Sequence, residues 1–593
     1  MERLLYVTLA DRAGSLFKRE SGSVVTREMK IGQNNSVSDY IAQFLADKKV
    51  PAVFELSGGM IAFITDAISQ LGVTSIVNVR HEQAAGFAAE GASRVLGLPS
   101  VALATSGPGA TNLITAIGSA YFDSTPIVFI TGQVNQAELR INPEQRQNGF
   151  QELDIVNVVK SITKFAVQVR TPEELILALE EAWNLSQDGR PGPVLVDIPI
   201  DVQQMRVNDR SLLSVASPQF VQLPSESIDF SEVTKLISQS KFPLILAGGG
   251  IRSADAVVDF RRFVESAGLP VVYSLMGVDA LSSDSKFRVG LIGSYGNRWA
   301  NRTLSKADTL LVLGSRLDVR QTGGSVASFM EGKKIIRVDI DDHELTGRIK
   351  ADLDLKCSIS EFLADEEIRK IRFDSSPFME LISTWKGQYP AEKEQTSEIM
   401  LNPNYLMHWI SRVFSTSRGY VVDVGQHQMW AAQSLELTSD QRFLTSGGMG
   451  AMGFSIPAAI GSAVARDGKW VVIAGDGCVQ LSIAELHTLK HYQLSVAVCV
   501  INNLQLGMVA QFQEENMDSR YVATRDGYSA PDFVEVSKAF GIPSIRIESD
   551  GDLRRAEEFI ANWEDGPILL EFMVSNLAKA LPKLARESQV RDL

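Results

Sequence analysis

The sequence is poor in cysteine, in net positive charge and in long apolar runs, and each shortage excludes a class of protein. Its three cysteines include no C-x-x-C pair, which argues against a disulfide framework and against a zinc site. Lys and Arg number 57 against 71 Asp and Glu, and a net charge of −14 lacks the basic footprint of nucleic-acid binding. No apolar run approaches membrane-spanning length, and the N-terminus lacks the order of a signal peptide. We therefore expect a cytoplasmic protein without nucleic-acid or membrane partners.

The length and composition are those of a globular protein with several domains. With 45% hydrophobic and 22% charged residues, the 593-residue chain can form about three or four domains of ordinary size. Short β-branched runs alternate with helical stretches from Ser38 onward, where Ser38 can cap the first helix. This alternation predicts an α/β fold with doubly wound parallel sheets. The predicted units are an extension (1–35), three α/β domains (36–205, 230–363 and 403–575), a linker (206–230), a connector (364–402) and a C-terminal tail (576–593). Whether the native chain starts at Met1 or at Met29 stays open.

Two motifs in the third domain point to a metal and a diphosphate. One predicted strand ends in Gly475-Asp476-Gly477, and the next, one βαβ unit later, ends in Asn502-Asn503. The carboxyl ends of parallel strands share one edge, where open α/β sheets bind ligands. Asp476, Asn503 and the backbone carbonyl of Gln505 therefore form a predicted Mg²⁺ site, because Mg²⁺ prefers oxygen ligands shared with phosphates. G-D-G alone would more simply be a tight turn.

With this spacing the sequence resembles the thiamine-diphosphate (ThDP) enzymes, whose cofactor motif is G-D-G followed by N-N. Segments 424–430 and 447–454 are similar to those of acetohydroxyacid synthases, and so is segment 80–91, which reads R-H-E-Q-A-A-G-F-A-A-E-G. The resemblance spans nearly all of 38–575. It implies a pyrimidine-binding first domain, a central FAD-binding-like domain and a diphosphate-binding third domain. It also implies a homodimer or homotetramer, because half-sites of that family come from different subunits.

The resemblance assigns roles to residues of both ThDP domains. Glu82 would hydrogen-bond the aminopyrimidine ring, a charge-assisted bond that is strong in a dry pocket. Gln151 would face the reactive carbon, and Met452 would bend the cofactor from below. The other implied cofactor contacts are Gln426, His427, Gly450, Gly475, Asp476, Gly477, Cys478, Asn503, Gln505, Leu506, Gly507 and Met508. Taken singly, Met452 and His427 would be ordinary core residues, and Glu82 a partner of a helix dipole.

The central domain carries runs similar to those with which acetohydroxyacid synthases hold FAD. Its Gly-Gly-Gly turn is not a complete G-x-G-x-x-G motif, so a purely structural central domain is the alternative. In that family the flavin does no net redox work in the main reaction, so FAD would not make this chain an oxidoreductase. The implied FAD contacts are Gly248, Gly249, Gly250, Ser274, Leu275, Met276, Gly314, Arg316, Asp318, Asp339, Ile340 and, from the first domain, Arg190.

The implied reaction is decarboxylation of pyruvate followed by transfer of the two-carbon unit to a carbonyl acceptor. Arg320 occupies the family position of the cation for an acceptor carboxylate, although its run reads D-V-R instead of D-D-R. Phe512 replaces the family's tryptophan, Ile200 replaces a lysine of the plant and fungal enzymes, and the segment 134–149 is longer.

These departures favour a ketone acceptor, namely a keto-sugar nucleotide in branched-chain sugar synthesis of the yersiniose type. The alternative is an acetolactate synthase, which joins two 2-oxo acids. From other classes, a flavin-dependent pyruvate oxidase and a ThDP-fold binding protein without turnover remain as alternatives.

Overall fold

The computed structural model describes residues 35–142, 144–207, 228–395 and 401–583, and their strands form three parallel sheets of six. The expected α/β class with three doubly wound domains is confirmed. The expected extension, except for its last residue, and most of the expected linker lie outside the described residues.

Each sheet has its own stretch of chain. The strands are β1 Ala52–Glu55, β2 Ser75–Asn78, β3 Ser100–Ala104, β4 Ile127–Gln133, β5 Phe165–Gln168, β6 Pro193–Pro199; β7 Pro243–Ala247, β8 Val271–Tyr273, β9 Arg288–Leu291, β10 Thr309–Leu313, β11 Lys334–Asp339, β12 Leu353–Lys356; and β13 Gly419–Val422, β14 Arg442–Thr445, β15 Trp470–Gly475, β16 Val496–Asn502, β17 Ser544–Ile547, β18 Ile568–Met573.

Strand order places the ligand crevices. The first sheet runs β2-β1-β3-β4-β6-β5, and the third repeats this order as β14-β13-β15-β16-β18-β17. The central sheet runs β12-β11-β10-β7-β8-β9, the strand order of dinucleotide-binding domains. Successive strands are added first toward one edge of each sheet and then toward the other. This reversal point lies between β1 and β3 in the first sheet, between β7 and β10 in the second, and between β13 and β15 in the third. Ligands of open α/β sheets bind at such points, outside the carboxyl ends of the strands.

Helices cover both faces of each sheet, and the middle strands are buried on both sides. The α-helices of the first domain are Val37–Asp47, Ala62–Leu71, Glu82–Leu96, Pro108–Asn112, Ile114–Phe122, Ile155–Val159, Pro172–Gln187 and Ile200–Gln204. Those of the central domain and connector are Ser231–Gln239, Gly250–Ser253, Val257–Ala267, Arg298–Lys306, Val319–Thr322, Val326–Met330, Asp342–Leu345, Ile359–Ala364, Glu366–Arg369 and Ser376–Gln388. Those of the third domain are Pro403–Val413, Gln426–Ser434, Ser455–Ala465, Asp476–Leu481, Glu485–His491, Gly507–Asn516, Phe533–Ala539 and Leu553–Ala561.

The cap of the first helix differs from the prediction. Ser36, not Ser38, is the N-cap, because its hydroxyl accepts from Asp39 N while the Asp39 carboxylate accepts from Ser36 N. This reciprocal pair is a capping box. Ser38 is buried, and its hydroxyl donates to the Gln203 carbonyl instead.

Two helices join the first and third domains through backbone contact. A Cβ added to Gly91 on Glu82–Leu96 would lie 2.0 Å from the Ala458 carbonyl oxygen, and one added to Gly461 on Ser455–Ala465 would lie 1.7 Å from that of Ala88. The crossing is therefore reciprocal and possible only for glycine at both positions. It merges the cores of the two domains into one cluster.

The segments between and after the domains are also structured. The connector 364–402 carries the helix Ser376–Gln388, and residues 576–583, predicted as part of a tail, pack on the third domain. The Gln426 amide donates to the carbonyl of Ala578, and the Trp430 indole donates to that of Lys579. Among the described residues, no helix is both long and apolar enough to cross a bilayer.

Candidate active site

The predicted metal ligands lie at the reversal point of the third sheet. Asp476 begins a helix directly after β15, and Asn503 follows β16. The Asn503 amide donates to Gln426 Oε1 at 3.1 Å, so its oxygen is free to face a cation. The side chain of Gln505 bonds to Asn576 and Arg525, which leaves its backbone carbonyl for the role predicted. The predicted set is thus brought to one edge.

The electrostatics of this edge fit a divalent cation. Burial raises the pKa of Asp476 to about 6, and among the described residues the side-chain partner of its carboxylate is the neutral Tyr528 hydroxyl, at 2.9 Å. A buried carboxylate without a positive neighbour is costly, and a bound cation would supply the missing charge. Within the described ranges no three His, Cys, Asp or Glu side chains form a metal cluster. A site with one carboxylate, one amide and one carbonyl oxygen is not of that kind, and it suits Mg²⁺.

The side chains of His427 and Gln426 line the same edge, close to the backbone of Gly475 and Gly507. The Gly475 N–H donates to His427 Nε2 at 3.2 Å, and burial lowers the pKa of His427, so the ring is neutral at pH 7. A Cβ on Gly507 would lie 2.0 Å from Gln426 Oε1, so a larger residue there would displace the Gln426 amide. The Cys478 thiol donates to the Val424 carbonyl and is inert through burial, which raises its pKa.

Met452 lies beside this edge, held by an aspartate that the sequence analysis missed. A Cβ on Gly477 would lie 3.4 Å from Met452 Cε and 2.7 Å from Leu506 Cδ2, so these apolar groups adjoin the G-D-G turn. Asp423, directly after β13, accepts from Gly453 N and from the amide and hydroxyl of Ser455. Its position after a buried strand and before 424–430 was the available signal. Tyr528 was also missed, and no motif marks it.

The predicted first-domain residues form a second cluster. Glu82 is 7% exposed, starts its helix after the cap residue His81, and accepts from Asn112 Nδ2 at 2.9 Å. A Cβ on Gly109 would lie 3.3 Å from Glu82 Oε1, and one on Gly107 would lie 2.9 Å from Gln151 Cβ. Glu82 and Gln151 therefore flank one loop, which contains Gly107 and Gly109.

Within one chain the Glu82 cluster and the predicted metal ligands are not bonded to each other among the described residues. The backbone N–H of Arg80 donates to Glu485, and that of Asn78 to the Tyr492 hydroxyl, both around the helix Glu485–His491. Across the described ranges, no hydrogen bond or ion pair links Glu82 or Gln151 to Asp476 or Asn503. The structure of one chain does not bring the two half-sites into contact.

The two residues predicted to handle the acceptor are exposed. Phe512 is 46% exposed on the helix Gly507–Asn516, which also carries Met508. Arg320 is exposed at the carboxyl end of β10, and within the part of the chain described here its guanidinium has no hydrogen bond or ion pair. Among the described residues no hydrogen bond or cation–ring contact joins the two, and Ile200 lies in a third segment, directly after β6.

The predicted FAD residues gather at the carboxyl edge of the central sheet. Gly248–Gly250 follows β7, Ser274–Met276 follows β8, and 314–318 follows β10, which places the first and last sets at the reversal point. Gly248 and Gly314 pack backbone to backbone, since a Cβ on Gly248 would lie 2.1 Å from Gly314 O. This glycine crevice fits the close approach of a dinucleotide.

Acidic groups complete that edge. Asp339 ends β11 and Ile340 follows it, and burial raises the pKa of Asp339. Arg190 bonds to Asp341 at 3.0 Å and Glu344 at 2.7 Å, so a phosphate contact would have to replace those ion pairs. Arg316 donates to the Phe122 carbonyl, and Asp318 caps the helix Val319–Thr322.

Comparison with known proteins agrees with this architecture. Models of the thiamine pyrophosphate enzymes match residues 35–158 (N-terminal TPP binding domain), 230–365 (central domain) and 423–572 (C-terminal TPP binding domain). The chain is 34% identical to acetolactate synthase 2, chloroplastic, of Nicotiana tabacum, over 94% of this chain and 84% of the relative. It is also 34% identical to the acetolactate synthase large subunits of Corynebacterium glutamicum (93% and 89% covered) and Lactococcus lactis (94% and 96%). The chain therefore belongs to the thiamine pyrophosphate enzymes, as a homologue of the acetolactate synthase catalytic subunits.

Proposed function

We propose that this ThDP-dependent carboligase decarboxylates pyruvate and joins the two-carbon unit to a ketone, a keto-sugar nucleotide in branched-chain sugar synthesis. The carboligase part rests on one observation, the presence of two half-sites. One is the buried Glu82 beside the glycine loop, and the other is the metal edge with the apolar Met452 beside it. ThDP, when bound, supplies the carbanion chemistry that a 2-oxo acid needs. The protein supplies binding, orientation and a dry environment.

The residues of the chain divide this work. Asp476, Asn503 and the Gln505 carbonyl would hold Mg²⁺ and, through it, the diphosphate. Neutral His427 accepts from Gly475 N at Nε2, and it would line the diphosphate site without adding a charge. In the first domain, Glu82 would exchange a proton with the aminopyrimidine nitrogen, and its low exposure strengthens that bond.

A complete site in this proposal needs two copies of the chain. The backbone N–H of Arg80, two residues before Glu82, is bonded to Glu485 of its own third domain, whereas the metal edge lies at the ends of β15 and β16. A homodimer or homotetramer in which Glu82 of one copy meets Asp476 of another resolves this separation. FAD in the central crevice, with a structural role, and a cytoplasmic location belong to the same proposal.

The acceptor follows from side chains at the entrance. A phenylalanine at position 512 leaves more room than a tryptophan, and Ile200 is apolar, so a larger carbonyl compound would fit. The Arg320 guanidinium, which has no hydrogen bond or ion pair among the described residues, suits an anionic group, which a nucleotide phosphate provides. The same arginine equally suits the carboxylate of a second 2-oxo acid. Acetolactate synthesis is therefore the second candidate, favoured by the relatives that carry that name.

The experiment is a product analysis. Purified protein with ThDP, Mg²⁺, FAD and pyruvate is incubated with and without a 4-keto-6-deoxy sugar nucleotide or simple ketones, and products are identified by mass spectrometry. A tertiary-alcohol adduct with little acetolactate supports the proposal. Efficient acetolactate formation indifferent to added ketone would refute the keto-sugar acceptor, and oxygen uptake as the main reaction would mean a pyruvate oxidase.

A matched variant tests the catalytic assignment. Glu82→Gln keeps the size of the side chain and its bond to Asn112 but cannot carry the charge. We expect loss of pyruvate decarboxylation in a folded protein. Unchanged turnover would contradict the role of Glu82 and leave a binding protein as the better reading.

A further inference from the structure

The loop that leads to Met452 is bonded to the first domain of its own chain. Asp123, which ends the helix Ile114–Phe122, accepts from Gly447 N at 2.9 Å and from Gly448 N at 2.7 Å. Ser119 Oγ lies 3.2 Å from Ser446 Oγ, which itself accepts from Ala451 N. The segment 446–451 therefore takes its position from side chains outside its own domain.

A buried charge network holds Asp123 in place. Arg94 donates to Asp123 Oδ2 at 2.8 Å, pairs with Glu90, and donates to the Thr445 carbonyl at 2.7 Å. The side chains of Asp123 and Glu90 are completely buried, and that of Arg94 is 10% exposed. Charge-assisted hydrogen bonds shielded from water are strong and directional, and loss of one partner leaves a buried charge uncompensated. Asp123 is thus a rigid anchor for the two amides.

The anchored loop ends at the cofactor edge. Gly450 turns the chain with φ +69, and Met452 follows two residues later with its methyl group beside Gly477. Beyond it, Asp423 of the third domain fixes Gly453 and Ser455. Met452 therefore lies between two carboxylate anchors, one from its own domain and one from the first domain.

We propose that Asp123 is a positioning residue for the cofactor site. Through its bonds to Gly447 and Gly448 it sets the position and orientation of the Met452 side chain. The inference rests on the proposed function in one respect, that Met452 lies against bound ThDP. Its consequence is that each first domain serves two sites. Glu82 contributes chemistry to the site of a second copy, and Asp123 shapes the third-domain site of the same chain.

The first test needs no cofactor. In the apoprotein, hydrogen exchange measured by mass spectrometry on peptides covering 446–452 reports the Gly447 and Gly448 amides directly. Asp123→Asn keeps the shape of the side chain, but it removes the charge and turns an amide N–H toward a donor. We expect exchange of this peptide to be at least tenfold faster. Protection equal to the wild type would overturn the anchoring.

The second test separates positioning from stability. At saturating ThDP and Mg²⁺, we expect Asp123→Asn to slow C2–H/D exchange of the bound cofactor, followed by NMR, by about tenfold or more. In a Met452→Ala background the same substitution should add less than twofold, because its effect passes through Met452. A full additive effect in that background would refute the route through Met452.

The matched control is Asp279→Asn. Asp279 is also a buried carboxylate between domains, bonded to Arg442, Arg252 and Phe443 N, but it does not touch the loop. We expect a comparable fall in thermal stability with wild-type C2 exchange. Equal effects of both variants on exchange would mean a general loss of domain packing and would overturn the proposal.

Two further outcomes are decisive. If Asp123→Asn does not fold, Asp123→Glu keeps the charge and displaces the anchor by one methylene, and it should slow C2 exchange in the same way. Failure of the wild type to bind ThDP in calorimetry would refute the proposed function itself, and with it the positioning role. A wild type that binds ThDP and an Asp123 variant that exchanges normally would refute the positioning role alone.

Discussion

Gly461→Ala tests the contact on which the arrangement of the two ThDP domains depends. Gly461 faces Ala88 across the crossing of Ser455–Ala465 with Glu82–Leu96, and the added Cβ would lie 1.7 Å from Ala88 O and 2.6 Å from its carbonyl carbon. Both are backbone atoms, so no rotamer change relieves the overlap. Because non-bonded carbon contacts are optimal near about 3.5 Å, the helices would have to separate by roughly 2 Å.

The expected destabilisation follows from two opposing contributions. Overpacking of a close-packed interior costs about 1–3 kcal/mol and occasionally more. Alanine in a helix is favoured over glycine by about 1 kcal/mol. Because the overlap is with backbone inside a fully buried interface, overpacking dominates, and we expect a net loss of about 2 kcal/mol. Gly91→Ala, with its Cβ 2.0 Å from Ala458 O, should behave in the same way.

The assay compares thermal and urea unfolding of the variants by circular dichroism. A three-domain chain does not unfold in two states, so the transition that involves the first and third domains is compared between variants instead of a single free energy. The control is Gly387→Ala on the helix Ser376–Gln388, where nothing lies within 4 Å of the added Cβ. It should be neutral or slightly stabilising. A Gly461→Ala protein as stable as Gly387→Ala would refute the backbone contact between the domains.

Three further predictions concern charge and the site. Burial raises the pKa of Asp197 to about 6, although Thr131, Gln133 and Gln168 donate to it. The folded state therefore holds this proton more tightly than the unfolded chain does. Wild-type stability relative to Asp197→Asn should fall by about 2 kcal/mol as pH rises from 4 to 6.5, and a pH-independent difference in urea titrations would contradict this. Phe512→Trp should raise kcat/KM for a 2-oxo acid acceptor relative to kcat/KM for a keto-sugar nucleotide by about tenfold. An unchanged ratio of the two kcat/KM values would exclude position 512 as a determinant of acceptor choice. Tyr528→Phe removes the hydroxyl bonded to Asp476 and should weaken Mg²⁺ binding by about tenfold, measured as the Mg²⁺ dependence of ThDP binding; unaltered dependence would mean that Tyr528 does not orient the carboxylate.

The sequence predicts best what depends on local spacing. The strand runs before Asp476 and Asn503 are continuous and apolar, and the separation of 27 positions fits one βαβ unit, so their meeting at one edge follows from the topology. Glu82 and Gln151 are 69 positions apart, and no helical or strand periodicity relates them. Only the family resemblance assigns both residues to the cofactor. The cap of the first helix was wrong because Ser36 and Ser38 both suit an N-cap, and only the capping box with Asp39 decides between them.

What the sequence does not predict comes from long-range contacts. Asp123 and Asp423 carry no motif of their own, and their partners Gly447 and Gly453 lie 324 and 30 positions away. Tyr528 stands 52 positions after Asp476 in a segment without regular structure on either side. The roles of Asp123 and Tyr528 can be identified only when burial and hydrogen-bond geometry are known.

The repeated strand order of the first and third sheets bears on the proposed division of the site between two copies of the chain. The two sheets have the same topology, and the helices Glu82–Leu96 and Ser455–Ala465 contact each other reciprocally, Gly91 against Ala458 and Gly461 against Ala88. The reciprocal contact gives the two helices an approximate local twofold relation at their crossing. In the proposed function, the metal edge of the third domain and the Glu82 loop of the first would each be completed by a surface that carries the opposite half. A second copy of the chain is the simplest such surface, which is why sedimentation of the protein with and without ThDP and Mg²⁺ should show at least a dimer, and a strictly monomeric active enzyme would contradict the shared site.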